Sequence, residues 1–336
     1  MHINKKTKII GTIGPSSESK EKIKQAIEAG LNIFRFNLKH NTHEWHTEKI
    51  NRVREVAKEM GENIQIIADL RGPEIRIGNV SKNINFNSLT KIEIVKELNG
   101  DNQIEIPKSF FDSLKEGNTI LIGDDRIELK VKSVSSESII CNILNHGKLR
   151  SSLTAFFPDI KSDNPALTKK DIKDVSLAAK NNADYLAMSF VRHTKDLQDL
   201  KSEVAKYKNF NPRIITKLET LEGTNNIESI IQETDVLMVA RGDLAIEVGF
   251  EKVPYYQKQF IKLCKKHNKT SIVATQMMES MHENPLPTRA EINDVATAVY
   301  DGADCVMLSG EFAMGKYPVQ TVAMMSSILS FTESKI

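Results

Sequence analysis

Eight short runs rich in β-branched residues, each ending in polar residues, recur along the chain with helical stretches between most of them. They are TKIIGTIG (7–14), LNIFRFN (31–37), NIQIIADL (63–70), ADYLAMSF (183–190), PRIITKLE (212–219), DVLMVARG (235–242), TSIVATQ (270–276) and DCVMLSG (304–310). Strands that alternate with helices pair in parallel, and parallel strands need cover on both faces. Eight such units predict a closed α/β barrel, the (β/α)₈ TIM barrel, whose chemistry sits at the carboxyl ends of its strands. Gly30 and Gly61 stand where helices should stop, and PVQTVAMMSSILSFT supplies the eighth helix.

One interval breaks the rhythm. Between the third and fourth runs, segments such as KIEIVKEL, QIEIPK, TILIGDD, RIELKVKSV and SIICNIL alternate with period 2, separated by Asn, Gly, Asp and Ser. This predicts a small β-barrel domain at 73–163 inserted between barrel segments 1–72 and 164–336. What remains is roughly 245 residues, close to the ~250 of such a barrel. An insertion in a carboxyl-end loop is placed to act as a lid.

Composition removes several function classes. Hydrophobic residues make up 40% of the 336, and no run approaches the ~18 apolar residues of a membrane span. The amino-terminal MHINKKTKIIGTIGPSS lacks the apolar block of a signal peptide, which places the protein in the cytoplasm. Cys141, Cys264 and Cys305 are odd in number and far apart, arguing against disulfides or a C-x-x-C site. A net charge of +2 leaves no footprint for nucleic acid.

Read at the strand ends, alternation points Phe34, Phe36 and Leu38 at the helices and Arg35, Asn37 and Lys39 at the barrel mouth. The same rule sets Lys217 beside Glu219, while ARGD delivers Asp243 where VLMVA stops. Glu219 and Asp243 offer a hard divalent cation two carboxylates and leave positions for substrate and water. A lysine beside that cation makes sense if a phosphoryl group binds between them. Each residue also has a plainer reading. Lys217 and Glu219 could form an exposed ion pair, Asp243 could cap a helix, and Arg35 and Arg76 could be surface arginines. The H-x-x-H-x-x-H run of His40, His43 and His46 lacks a clear fourth zinc ligand, and a helix begins near Asn41. Thr168 and Asp171 form a capping box that puts Lys169 and Lys170 in a first helical turn, where the dipole disfavours cations. The methionine-rich pieces read as core.

The segments TKIIGTIGPSS, RFNLKHNTHEWH, DLRGPEIR, PALTKKD, ITKLETLEG, MVARGDLAIE, ATQMMESM, NPLPTRAEINDVA and MLSGEFAMGKYP resemble, in this order, the motif series of the pyruvate kinases, from residue 7 to about 320. The resemblance implies transfer of a phosphoryl group from phosphoenolpyruvate to ADP, giving pyruvate and ATP. It implies Glu219 and Asp243 as ligands of Mg²⁺, with Mn²⁺ as an alternative, and Lys217 as the group that stabilises the phosphoryl in flight. Arg35 and Arg76 match phosphate-contacting arginines, with Asn37, His40, Arg76 and Lys170 on the nucleotide side. Gly242, Asp243 and Thr275 match the cradle of the substrate carboxylate, and Thr275 the hydroxyl linked to protonation of the enolate.

The departures matter as well. The family usually has Ser at position 39 and often Thr at 70, which with Asn37 and Asp69 hold an activating K⁺. Here the residues are Lys39 and Leu70. An ammonium is close to K⁺ in size, so Lys39 is expected to place its own charge beside Asn37, Asp69 and Glu74. Ala245 replaces a usual glycine and Phe312 a usual threonine, and SSLTAFFPDIKSDNP replaces the usual return from the lid. The family's carboxyl-terminal effector domain is expected to be absent, and with it sugar-phosphate activation. The PTRAE segment resembles the family's barrel-to-barrel face, which implies a homo-oligomer. Two rival functions fit parts of the pattern: a Mg²⁺-dependent aldolase or lyase on pyruvate or oxaloacetate, which would bind no ADP, and a non-catalytic regulatory relative. The nucleotide-side residues argue against the first, and retention of Lys217, Glu219, Asp243 and Thr275 against the second.

Overall fold

All eight runs form strands, in a computed structural model that describes residues 5–81, 84–85, 89–123, 127–145, 147–160 and 164–336. They are β1 (Lys8–Thr12), β2 (Ile33–Asn37), β3 (Gln65–Asp69), β4 (Tyr185–Met188), β5 (Arg213–Leu218), β6 (Val236–Ala240), β7 (Thr270–Ala274) and β8 (Cys305–Leu308). Every neighbouring pair is parallel, and the sheet closes on itself through β8 against β1 and β1 against β2.

The period of two decides what each strand buries. Ile10, Ile33, Ile67, Ile215, Met238 and Met307 share one apolar cluster contributed by strands all around the sheet. Phe34, Phe36 and Ile66 belong to another, which holds Ile50 and Val53 of the helix His43–Met60. One step of two residues beyond the first set, the chemistry changes: Ile10 is followed by Thr12, Ile33 by Arg35, Ile67 by Asp69 and Ile215 by Lys217. The barrel interior is therefore apolar below and charged at its carboxyl end, the face where such barrels keep their sites.

Helix ends follow local rules. Thr42 caps His43–Met60 by accepting from the Trp45 amide, and Gly61 ends that helix at φ 68°, a conformation in which glycine is unstrained. Thr168 and Asp171 form the expected reciprocal box at the start of Lys169–Lys180. Phe312 is fully buried and packs 6.1 Å from Phe34, centroid to centroid. Gly11 makes this possible, since a Cβ there would lie 2.8 Å from both Phe312 Cδ1 and Leu31 Cδ1.

The chain divides into two compact units, Met1–Gly72 with Ala166–Ile336, and Pro73–Pro165. The second boundary falls two residues beyond the 163 expected from sequence, because Asn164 and Pro165 go with the insertion. The inserted unit, taken by itself, has a six-stranded sheet ordered Ala155–Phe156, Thr119–Ile122, Ile127–Val134, Ser138–Ile143, Lys91–Val95 and Gln103–Glu105. A two-stranded ribbon, Ile84–Asn85 with Lys148–Leu149, completes the described strands. Its own core includes Ile94, Ile104, Ile120 and Leu129, with Phe110 stacked on Phe157 at 4.4 Å. The return segment 151–165, where a hinge is expected, includes residues 161–163, which lie outside the described residues.

Replacing Phe312 by Ala should lower unfolding free energy by about 3–5 kcal/mol, and Gly11→Ala by about 1–3 kcal/mol through overpacking. Phe331→Ala, at a side chain 68% exposed, should stay within about 0.5 kcal/mol. Denaturant midpoints read all three, and equal shifts at 312 and 331 would refute this packing.

Candidate active site

At the carboxyl end of the barrel, four charged side chains from three strand ends, those of β2, β3 and β5, converge. Arg35 donates from Nε to Asp69 Oδ2 at 2.6 Å and from a terminal nitrogen to Thr12 Oγ1 at 2.9 Å. Lys217 Nζ lies 2.9 Å from Glu219 Oε1 and 3.4 Å from Asp69 Oδ1, and donates to Ser189 Oγ at 2.7 Å. Ser189 donates its own hydroxyl hydrogen bond to the Leu70 carbonyl at 2.8 Å, so its oxygen is fixed as an acceptor for the amine. Asp69 and Glu219 are each only 1% exposed and Lys217 9%, so these charges act on one another with little solvent between them.

That burial sets the protonation states. It presses the Lys217 amine towards neutrality, but the carboxylates of Asp69 and Glu219 outweigh it, and the amine is held charged beyond its ordinary range. Burial pushes the Glu219 carboxyl up to about 7; Lys217 offsets part of this, and the negative Asp243 adds to it. Asp69 Oδ1 is fully buried and no donor reaches it with hydrogen-bond geometry. Asp69 and Glu219 thus stand against Arg35 and Lys217, two charges of each sign. Among the described residues, no group of three or more His, Cys, Asp and Glu side chains is placed to share a metal. A divalent ion here would rest on Glu219 and Asp243 alone, a donor set that suits Mg²⁺, which keeps much of its water and takes substrate oxygens.

The backbone bends to deliver these groups. Phe190, just past β4, has φ 55°, and its amide donates to Glu219 Oε2 at 2.7 Å. Past β7, Thr275 and Gln276 have φ 72° and 52°. For a β-branched residue this is an outlier costing roughly 1–3 kcal/mol, held only where surrounding contacts over-determine it. Thr275 Oγ1 accepts from the Gly242 amide at 2.8 Å and donates to the Ala274 carbonyl at 2.6 Å. Gly242 and Asp243 lie in the first turn of the helix Arg241–Val248, which has no side-chain cap, so its amino end favours an anion. Asp243 thus stands on a helix, one turn beyond the strand from which sequence delivered it.

On the β2 side, Asn37 sits opposite Asp69 in the strand register, and its Oδ1 accepts from the Lys39 amide at 3.2 Å. Lys39 is half-buried and His40 exposed. Lys170 donates to the Leu38 carbonyl at 2.5 Å and to Asp174 Oδ2 at 2.6 Å, while His43 Nε2 meets the other oxygen of Asp174 at 2.7 Å. His46 donates from Nε2 to the His40 carbonyl at 2.7 Å. The His43 and His46 rings therefore face different partners, and His46 fastens the loop through the His40 carbonyl. Arg76 and Glu74 belong to the inserted unit, where Arg76 pairs with Glu74 at 2.9 Å and reaches the Ser152 carbonyl, and Thr154 donates to Glu74.

Sequence reading passed over Thr12, Ser189, Asp174 and Arg241. Asp174 had a usable signal, four residues after Lys170 on one helix face, and Ser189 ends an apolar strand. The left-handed turn at Phe190 had none.

Comparison with known proteins agrees with this geometry. Residues 4–322 match the family described as pyruvate kinase, barrel domain. The chain is 40% identical over 340 residues to a pyruvate kinase of Staphylococcus aureus, covering 98% of this chain and 57% of that one. It is likewise 40% identical to a pyruvate kinase of Geobacillus stearothermophilus, covering 99% and 58%. A crystal structure of a pyruvate kinase from Cryptosporidium parvum superposes with a TM-score of 0.93 at 37% identity, over 99% of this chain and 70% of that one. The chain thus spans little more than half the length of the curated relatives.

The buried His46 ring makes one pH prediction. Burial lowers its pKa below the usual 6.5, the His40 carbonyl and Asp174 opposing this and Lys170 and His43 adding to it. Its Nδ1 is buried without a partner. The unfolded chain then takes up the proton first, so the stability this ring contributes is full above about pH 6.5 and falls as pH drops below it. Denaturation midpoints between about pH 7.5 and 5 should fall less steeply for His46→Gln than for the parent. Parallel curves would overturn the neutral-ring assignment.

Proposed function

The chain belongs to the pyruvate kinase family, and on that premise we propose that it transfers the phosphoryl group of phosphoenolpyruvate to ADP, giving pyruvate and ATP, the last step of glycolysis. The observation that carries this is the charged Lys217 amine, held at the barrel mouth by Asp69, Glu219 and Ser189. That amine is charged, 9% exposed and fixed in orientation by Ser189, a placement that suits neutralising an incoming phosphoryl group.

Mg²⁺, or Mn²⁺ in its place, would be held by Glu219 and Asp243, and when bound it supplies positive charge to the phosphoryl oxygens. Arg35 and Lys217 neutralise the transferring group. Asn37, His40 and Lys170 serve the nucleotide side. The amino end of the helix carrying Gly242 and Asp243, together with Thr275, receives the substrate carboxylate. In the reaction the bond from phosphorus to the enol oxygen breaks, and a bond from phosphorus to a terminal oxygen of ADP forms. The enolate left behind takes a proton at its methylene carbon and becomes pyruvate. Thr275 orders the water that supplies the proton, because an isolated threonine is a poor acid at neutral pH. The protein's part is positioning and charge compensation.

Lys39 is assigned the place of the family's K⁺. Support comes from Asp69, whose Oδ1 lacks a hydrogen-bond donor, and from Asn37, which faces Asp69 two residues before Lys39. A homo-oligomer through the barrel face and residence in the cytoplasm accompany this reading; among the described residues no helix is long and apolar enough to cross a membrane.

Initial rates of ATP and pyruvate formation, with Mg²⁺ and with K⁺ absent or added, test the proposal. Full turnover without K⁺ is expected. Turnover only with K⁺ discards the role of Lys39 and keeps the kinase, whereas no turnover in either buffer overturns the kinase. Lys217→Ala should lower kcat by about 10²–10³-fold while Mg²⁺ binding persists; undiminished activity would remove Lys217 from the mechanism.

A further inference from the structure

Arg241 opens the helix that carries Gly242 and Asp243, and it is a cation at a helix amino end, where the dipole disfavours one. Its side chain is 11% exposed. The guanidinium turns back across the neighbouring strand end. Nε and one terminal nitrogen donate to the Thr275 carbonyl at 3.2 and 2.7 Å, and the same nitrogen reaches the Gln276 carbonyl at 3.2 Å and Met277 Sδ at 3.0 Å. The other terminal nitrogen is anchored by Asp294 Oδ1 at 2.7 Å and Gln257 Oε1 at 3.2 Å.

The two carbonyls it grips belong to Thr275 and Gln276, the consecutive left-handed residues after β7. A strained pair persists only where its surroundings over-determine it. Here the over-determination is a planar fork that closes on the Thr275 carbonyl with two nitrogens, while the Thr275 hydroxyl takes the amide of the residue next to Arg241. A lysine could supply one point contact and not the fork.

We propose that Arg241 is a positioning residue for the proton-transfer step: it holds the Thr275 hydroxyl in the orientation from which the enolate receives its proton. This rests on the kinase reading above. Substrate does not touch the guanidinium, whose donors are spent on the β7 loop and on its anchors. Loss of the fork should therefore slow protonation more than it weakens substrate capture, which rests also on the helix amino end and on Arg35 and Lys217.

The test uses the full chain and its R241K, D294N, T275A and R241K/T275A variants. It measures kcat and KM for phosphoenolpyruvate, and exchange of pyruvate methyl hydrogens with deuterated solvent. In R241K, kcat and hydrogen exchange should both fall about 10- to 100-fold, the scale of a misplaced reacting group. KM should change less than about threefold. D294N, which loosens the anchor and keeps the guanidinium, should show a smaller loss of the same kind and carries the test if R241K does not fold. In the T275A background R241K should add little, since the hydroxyl it orients is gone. An R241K enzyme with kcat and exchange near those of the parent, or an equal R241K effect in both backgrounds, overturns the role of Arg241 alone. A parent chain with no phosphoryl transfer overturns the kinase reading, and this inference with it.

Discussion

Asp69 is the charge on which the rest of the barrel mouth depends. Its carboxylate is 1% exposed and lies between Arg35 and Lys217, one cation for each oxygen. Burying any one of these three alone would be costly, since removing one partner of a buried pair typically costs 3–5 kcal/mol. Together with Glu219 they compensate one another at the end of a rigid parallel sheet.

Rigid delivery comes from the sheet, and fine orientation from residues forced out of it. Four strands each switch from apolar to charged or polar within two residues, so the packed interior ends where the chemistry begins. Past the strand ends, Phe190, Thr275 and Gln276 adopt left-handed conformations that no local preference favours. Each is tied to a charged side chain, Phe190 to Glu219 and the other two to Arg241. Strain and charge are thus coupled: the turns aim amides and hydroxyls, and the buried charges hold the turns.

The loop after β2 solves the same problem with different groups. The Lys170 amine and the His46 ring each grip one of its carbonyls, and fully buried Asp174 balances Lys170 and meets the His43 ring. Lys170 therefore has a structural duty beside the nucleotide role proposed for it, which accounts for a cation in the first turn of a helix. The histidine spacing that suggested a metal is spent on fastening this loop.

The sequence by itself determined the eight strands, their parallel order, the inserted β unit and the pairing of Lys217 with Glu219, because each follows from short-range periodicity: two for strands, 3.6 for helices. Side chains two apart on a strand must share a face wherever the strand ends up. Arg35 and Lys217 could be aimed at the mouth for the same reason. Only the tertiary structure decided that Asp69 stands between them, that Ser189 orients the amine, that Lys170 reaches the Leu38 carbonyl, and that Arg241 reaches across to the carbonyls after β7. Those contacts join residues about 30 to 130 positions apart across different strands and helices. No local pattern encodes them, since a residue's partner across a barrel is set by how the sheet closes.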